Sequence, residues 1–169
     1  MSPTLLDVTF LTDINITTFF NPSNLPPKPS HRLPVKSIGG WSKYIATYSK
    51  SSGPIDDREH TAFLNMWLER FLFCGSSLGP TINCQVMAET LVGGQLLPLG
   101  RYLLGATYLL LHQVSVRLMT CKTIGHLGGP WWFLQYWLTA YFSKSIGLPP
   151  FSSRSFLTST CPEGDIPRW

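Results

Sequence analysis

DDREHTAFLNMWLERFLFCG, residues 56–75, is the stretch whose reading decides the fold. Asp56, Asp57 and Glu59 open it, where carboxylates favour a helix N-terminus, and Gly75 closes it, where a left-handed cap is least costly. In between, Thr61, Asn65 and Glu69 recur every four residues as a narrow polar stripe with Arg70 beside it. Phe63, Leu64, Met66, Trp67, Leu68, Phe71 and Leu72 cover the rest of the circumference. The spacing predicts an α-helix that is mostly buried.

The same helical reading extends outward on both sides. Upstream, Thr4 and Asp7 in TLLDVTFL have capping-box spacing, with Asp in place of Glu, and predict a short helix from Leu5. GGWSKYIATYSK predicts another over Trp41 to Tyr48. Downstream, TINCQVMAETLVGG reads as a helix ending at Gly93-Gly94, and a long amphipathic helix runs from Pro98 to Leu118. The long helix sets Leu99, Leu103, Ala106, Leu110 and Val114 against Arg101, Tyr108, His112 and Ser115. A last helix follows Gly128-Gly129-Pro130. It carries Trp131, Trp132, Phe133, Tyr136, Trp137, Tyr141 and Phe142 around nearly its whole circumference, which predicts a central helix packed on several sides. The fold class is therefore all-α, a single compact multi-helix domain over residues 1–142. Residues 21–40 form an extended Pro-rich, basic connector within it. The irregular tail 143–169, polar and Pro-containing, is expected to be poorly ordered.

Composition bounds the function. The chain has 169 residues, 44% hydrophobic and 13% aromatic, but only 13% charged. The charged share is about half the usual one. Many side chains must then be buried, within the domain or against a partner. The net charge is +4, and its distribution is uneven. No acid falls between Ile14 and Ile55, whereas Lys28, Arg32, Lys36, Lys43 and Lys50 do, so these five are the candidate phosphate contacts if a polyanion binds. The bland alternative is that they keep the connector solvated. Lys and Arg do not interleave with the rings of residues 131–142, which disfavours single-strand stacking there. Trp67, Phe71, Trp131, Trp132 and Trp137 are the aromatics expected to serve the core or a partner.

Catalytic, metal and cofactor chemistry finds no foothold. Cys121 and His126 lack a second pair at ligand spacing, and His31, His60 and His112 lie in different elements. Asp56-Asp57 is accounted for by capping, and the paired glycines match no phosphate-binding loop. No catalytic, cofactor-binding or metal residues are assigned, and no cofactor is expected. Cys74, Cys84, Cys121 and Cys161 read as reduced thiols, and the N-terminus lacks the basic and apolar regions of a secretory signal. An intracellular chain is expected, which leaves the Asn15-Ile16-Thr17 sequon idle. The apolar run at 96–116 is interrupted by Pro98, Arg101, His112 and Gln113, so no membrane span is expected.

Five motifs in order resemble the plant mobile domain, also called the aminotransferase-like plant mobile domain. They are LLDVTFL at Leu5 to Leu11, FLNMWLERFLF at Phe63 to Phe73, AETLVGG at Ala88 to Gly94, LGRYLLGATY at Leu99 to Tyr108, and the Gly-Gly-Pro aromatic helix. The resemblance covers Leu5 to Phe142. It implies an all-helical, non-catalytic nuclear protein of transposon origin, a protein-interaction module in transposon silencing, gene-expression regulation or meristem maintenance. The implied partner is a nuclear protein, with a phosphatase-like protein as one candidate. The other reading is a nucleic-acid-binding remnant of a transposon-encoded protein using residues 28–50. Despite the family's label, no lysine sits in a context that would anchor pyridoxal phosphate. The family's Trp-rich segment upstream of the entry helix is missing, which suggests a fragment or abridged gene model with apolar surface left uncovered.

Overall fold

A computed structural model describes residues 2–18, 25–30, 33, 39–49, 53–124 and 127–142. Among these residues there are six α-helices and no strand: α1 (Leu5–Thr12), α2 (Trp41–Tyr48), α3 (Asp57–Trp67), α4 (Gln85–Val92), α5 (Leu99–Met119) and α6 (Trp131–Phe142). The chain is all-α as its periodicity predicts, and none of these helices is long and apolar enough to cross a membrane. The expected tail at 143–169 lies outside the described residues.

Local chemistry sets the helix ends. Thr4 and Asp7 form the reciprocal box that starts α1. The Thr4 amide donates to Asp7 Oδ2 at 2.7 Å, and the Asp7 amide donates to Thr4 Oγ1 at 3.3 Å. Asp56 caps α3 by accepting the Glu59 amide at 2.7 Å. Past Trp67 the winding widens into one π-helical turn, Leu68–Leu72, where the Phe73 amide reaches back five residues to the Leu68 carbonyl at 2.8 Å. The stop differs from expectation. Cys74, not Gly75, takes the left-handed conformation, with φ of 54° at Asp13 and 48° at Cys74 marking the ends of α1 and of the π turn. The extra residue of the π turn brings the reversal one position early, and the Gly75 amide then closes onto the Glu69 carbonyl at 2.9 Å.

Two apolar clusters hold the helices together. The larger joins Val8, Leu68, Leu72, Cys84, Ala88, Leu103 and Phe133, so α1, α5 and α6 meet the end of α3 and α4 there. The smaller joins Leu33, Tyr44, Tyr48 and Ala62. Leu33 belongs to the residues read as a solvated connector, yet it is buried between α2 and α3, so burial of this one Leu side chain, about 1.5–3 kcal/mol, ties the connector to the domain. Arg58 adds a cation–π contact 5.3 Å above the Tyr48 ring across the same pair.

The aromatic helix α6 is one-sided, which corrects the expectation of a helix packed all round. Phe133, Leu134 and Trp137 are buried, while Trp131, Leu138 and Tyr141 are exposed. Its partners come from α1, α5, the π turn and α4, which among the described residues cover one face only. Trp132 is half-buried and donates its indole N–H to the Leu72 carbonyl at 3.0 Å. The Gly-Gly-Pro entry has a steric cause. The Gly129 amide donates to the Cys74 carbonyl at 2.8 Å, and a Cβ on Gly128 would lie 2.3 Å from the Ser76 backbone nitrogen.

Those clearances give a matched pair of substitutions. Gly105 lies inside α5 with nothing within 4 Å of a Cβ, so Gly105→Ala is expected to raise stability by roughly 0.5–1 kcal/mol through helix propensity. Gly128→Ala must push backbone against backbone and is expected to cost about 2 kcal/mol or more. Urea unfolding of the two variants checks both signs.

Candidate functional site

The polar stripe of α3 faces inward. Thr61, Asn65 and Glu69 are 6%, 0% and 4% exposed, whereas Phe63, Trp67 and Phe71 are 49%, 37% and 58% exposed. The stripe is therefore buried together with Ala62, Leu68 and Leu72, and the three rings lie outside, which corrects the expectation of a mostly buried apolar cylinder. Burying a polar side chain is tolerated when it is hydrogen-bonded, and the partners come from both sides. Asn65 Nδ2 donates to the Thr81 carbonyl at 2.8 Å and to the Tyr44 hydroxyl at 3.3 Å. The Thr81 hydroxyl donates to Glu69 Oε1. These bonds fix α2 on one side of α3 and the segment before α4 on the other.

A second polar tier continues on α4. Gln85 Nε2 donates to Glu89 Oε1 at 2.9 Å, while Gln85 Oε1 accepts the Leu33 amide at 3.4 Å and Glu89 Oε2 accepts the Ser30 amide at 2.7 Å. The tier borders a cavity of about 220 Å³ whose walls include Thr61, Gln85, Glu89, Asp57 and Arg58.

Burial dominates the electrostatics here. It pushes the Glu69 carboxyl above its ordinary value, against the opposing hydrogen bond from Thr81. Asn65 Oδ1 and Glu69 Oε2 are both buried and accept no hydrogen bond among the described residues, so nothing beyond Thr81 offsets the burial of the Glu69 carboxyl. Burial also pushes the Tyr44 hydroxyl up to about 12, and raises the Cys84 thiol to about 12 with help from the Glu69 charge. A thiol so raised is a packing group rather than a nucleophile. Cys74 is raised as well, by burial outweighing the nearby Arg70 charge.

The outward side carries the candidate interaction surface. Phe63, Trp67 and Phe71 stand four residues apart and form an aromatic ridge along α3 and its π turn. The ridge begins at a mostly apolar cavity of about 310 Å³ between α2 and α3, lined by Ile45, Ser49, Ile55, Glu59, His60 and Phe63. Trp67 and Phe71, named from the sequence, are thus exposed rather than core. Trp131 is likewise exposed, Trp137 is core, and Trp132 lies between. Phe63 was covered by the helical pattern but not singled out. The available signal was the composition of the stripe, with two neutral residues and one carboxylate opposite three large rings, a weak solvent face for so long a helix.

Of the five basic candidates, two fall among the described residues. Lys28 and Lys43 are exposed, on the connector and on α2, and Arg32, Lys36 and Lys50 lie outside the described residues. Among the described residues no three His, Cys, Asp or Glu side chains are grouped to hold a metal ion. No family model, no curated protein and no solved structure matches the chain.

The state of Glu69 sets a pH dependence whose sign follows from linkage. Its pKa is raised in the folded chain, so the folded state holds the proton more tightly. The contribution of Glu69 to stability is then fully present below the ordinary glutamate value of 4.5 and is lost as pH rises through the raised value. Glu69→Gln keeps the acceptor for Thr81 and is always neutral. Its thermal midpoint relative to wild type is expected to increase from pH 4 to pH 7. A constant difference across that range would show a charge-tolerant site.

Proposed function

We propose that this chain is a non-catalytic protein-interaction module that engages a protein partner through the Phe63, Trp67 and Phe71 ridge. The observation that carries the reading is the split of α3 and its π turn: Thr61, Asn65 and Glu69 are buried beside Ala62, Leu68 and Leu72, while Phe63, Trp67 and Phe71 are left outside. Buried aromatic anchors supply most of the energy of protein interfaces, and Trp with a neighbouring Arg, here Arg70, is the composition such anchors favour. The raised thiols and the capping roles of the acidic residues support a binding role over a chemical one. The order of motifs resembling the plant mobile domain supports the finer reading. On it, the module acts in the nucleus, in transposon silencing, gene-expression regulation or meristem maintenance, and descends from a transposon.

A photo-reactive phenylalanine analogue placed at Trp67 or Phe71 tests this in intact nuclei, with Gln95, exposed after α4, as the control position. The expected result is one discrete protein adduct shared by positions 67 and 71, absent from 95 and lost when Phe63→Ser is added. Each ridge truncation is expected to cost about 1–4 kcal/mol of binding and, being at exposed positions, about 0.5 kcal/mol or less of folding stability. A folded chain that gives no adduct, or the same adducts from all three positions, contradicts the ridge. Exclusion of the chain from nuclei contradicts the nuclear assignment.

A further inference from the structure

A second surface of different chemistry lies at the C-terminal end of α5. From Thr90 to Pro162 the sequence contains no Asp or Glu. In that span the C-terminal end of α5 and the segment after it enclose an open groove of about 500 Å³, lined by His112, Gln113, Val116, Arg117, Thr120, Lys122 and Leu127. Every polar side chain in this lining can donate a hydrogen bond, and Arg117 and Lys122 add two fixed positive charges.

Among the described residues no acid neutralises them from a neighbouring element. The end of α3 and α4 meet α5 in the core at Leu103, about 21 Å along the helix from Arg117, and their Glu69 and Glu89 are hydrogen-bonded to Thr81 and Gln85. α1 and α6 also pack on α5, and α1 carries Asp7 while Asp13 caps its end. Asp7 is held at the far end of α6 by the Tyr141 hydroxyl, and Tyr141 is about 15 Å along that helix from Trp131. Asp13 sits by the start of α5, where Asn15 and Ile16 accept from Gly100 and Arg101. That is about 24 Å along α5 from Arg117.

The negative end of the α5 dipole would oppose an anion, but its carbonyls are occupied. The Thr120 amide donates to Val116 at 3.1 Å, the Cys121 amide to Leu118 at 3.2 Å and the Lys122 amide to Arg117 at 2.9 Å. Arg117 Nη1 donates to the Thr123 carbonyl at 2.8 Å, which folds the following segment back and holds the guanidinium at the groove.

The fold also delivers an aromatic ring that the linear sequence keeps apart from these charges. Trp131 Nε1 donates to the carbonyl of Leu127, a groove residue, at 2.9 Å, and the ring remains 42% exposed. Cationic donors along a groove with an exposed indole tethered to its wall match single-stranded nucleic acid, whose phosphates need charge and whose bases need a flat apolar face. An acidic peptide would use the charges but not the ring. We propose that this groove binds the sugar-phosphate backbone of single-stranded nucleic acid through Arg117 and Lys122, with a base stacked on Trp131. The surface is separate from the α3 ridge and stands or falls independently of it.

Fluorescence anisotropy of the full chain with labelled oligothymidylate and oligouridylate tests the proposal across a salt series, with polyglutamate as competitor. Wild type is expected to bind both oligonucleotides, with polyglutamate competing poorly. Trp131→Ala is expected to weaken binding roughly tenfold. Arg117→Gln with Lys122→Gln is expected to reduce the salt slope by about 1.4, the share of two phosphate contacts. Lys122→Gln alone, which breaks no hydrogen bond in the structure, guards against misfolding and should lower both affinity and slope. Lys28→Gln with Lys43→Gln, the charge-matched control, should leave both near wild type. Absence of binding at low salt overturns the proposal, as does loss confined to the Lys28 and Lys43 variant. Equal competition by polyglutamate overturns it in favour of an acidic peptide.

Discussion

The buried contact of Asn65 and Glu69 with Tyr44 and Thr81 is the constraint on which the rest of the structure depends. An amide and a carboxyl cannot face an interior without partners, so α3 can turn its stripe inward only if α2 and the segment before α4 arrive with the Tyr44 hydroxyl and the Thr81 oxygens in place. Once that side is fixed, helix geometry leaves Phe63, Trp67 and Phe71 on the other. The exposed ridge is a consequence of the buried network.

Two buried carboxyls pull stability in opposite directions with pH. At Asp7, burial raises the pKa, but hydrogen bonds from Tyr141 and Thr4 outweigh it and hold the group below its ordinary value of 3.8. Its contribution is present above that value and is lost as pH falls through the lowered one. Glu69 behaves in the reverse sense, because a single hydrogen bond does not offset its burial. The α1 to α6 tether thus strengthens the acid at Asp7, and burial in the α3 interior weakens the acid at Glu69. The difference lies in the number of donors each carboxyl meets.

Features governed by near neighbours were legible in the sequence. The Thr4 and Asp7 box, the Asp56 cap, the span of α2 and the buried faces of Leu103 and Leu110 on α5 all follow from residues within a turn or two of each other. The orientation of α3 was not legible, because its decisive partners lie 21 residues before Asn65 and 16 after it. The π turn hid the position of the left-handed stop, since one inserted residue moves the reversal from Gly75 to Cys74. For α6, the even spread of rings gave no direction, and only the packing of α1, α5, the π turn and α4 chose the inner side. The groove at the end of α5 escaped for a related reason. Arg117 and Trp131 belong to different helices, and it is the Leu127 carbonyl that joins them.

Hydroxyl-radical footprinting of the purified chain with residue-level mass spectrometry tests the split of α3 and its π turn most directly. The account expects Phe63 and Phe71 to be oxidised at rates approaching those of the unfolded chain, while Tyr44 and Phe133, both fully buried, are strongly protected. Protection of Phe63 and Phe71 comparable to that of Phe133 in the monomer would contradict it, because those rings would then lie in the core and the ridge would not exist.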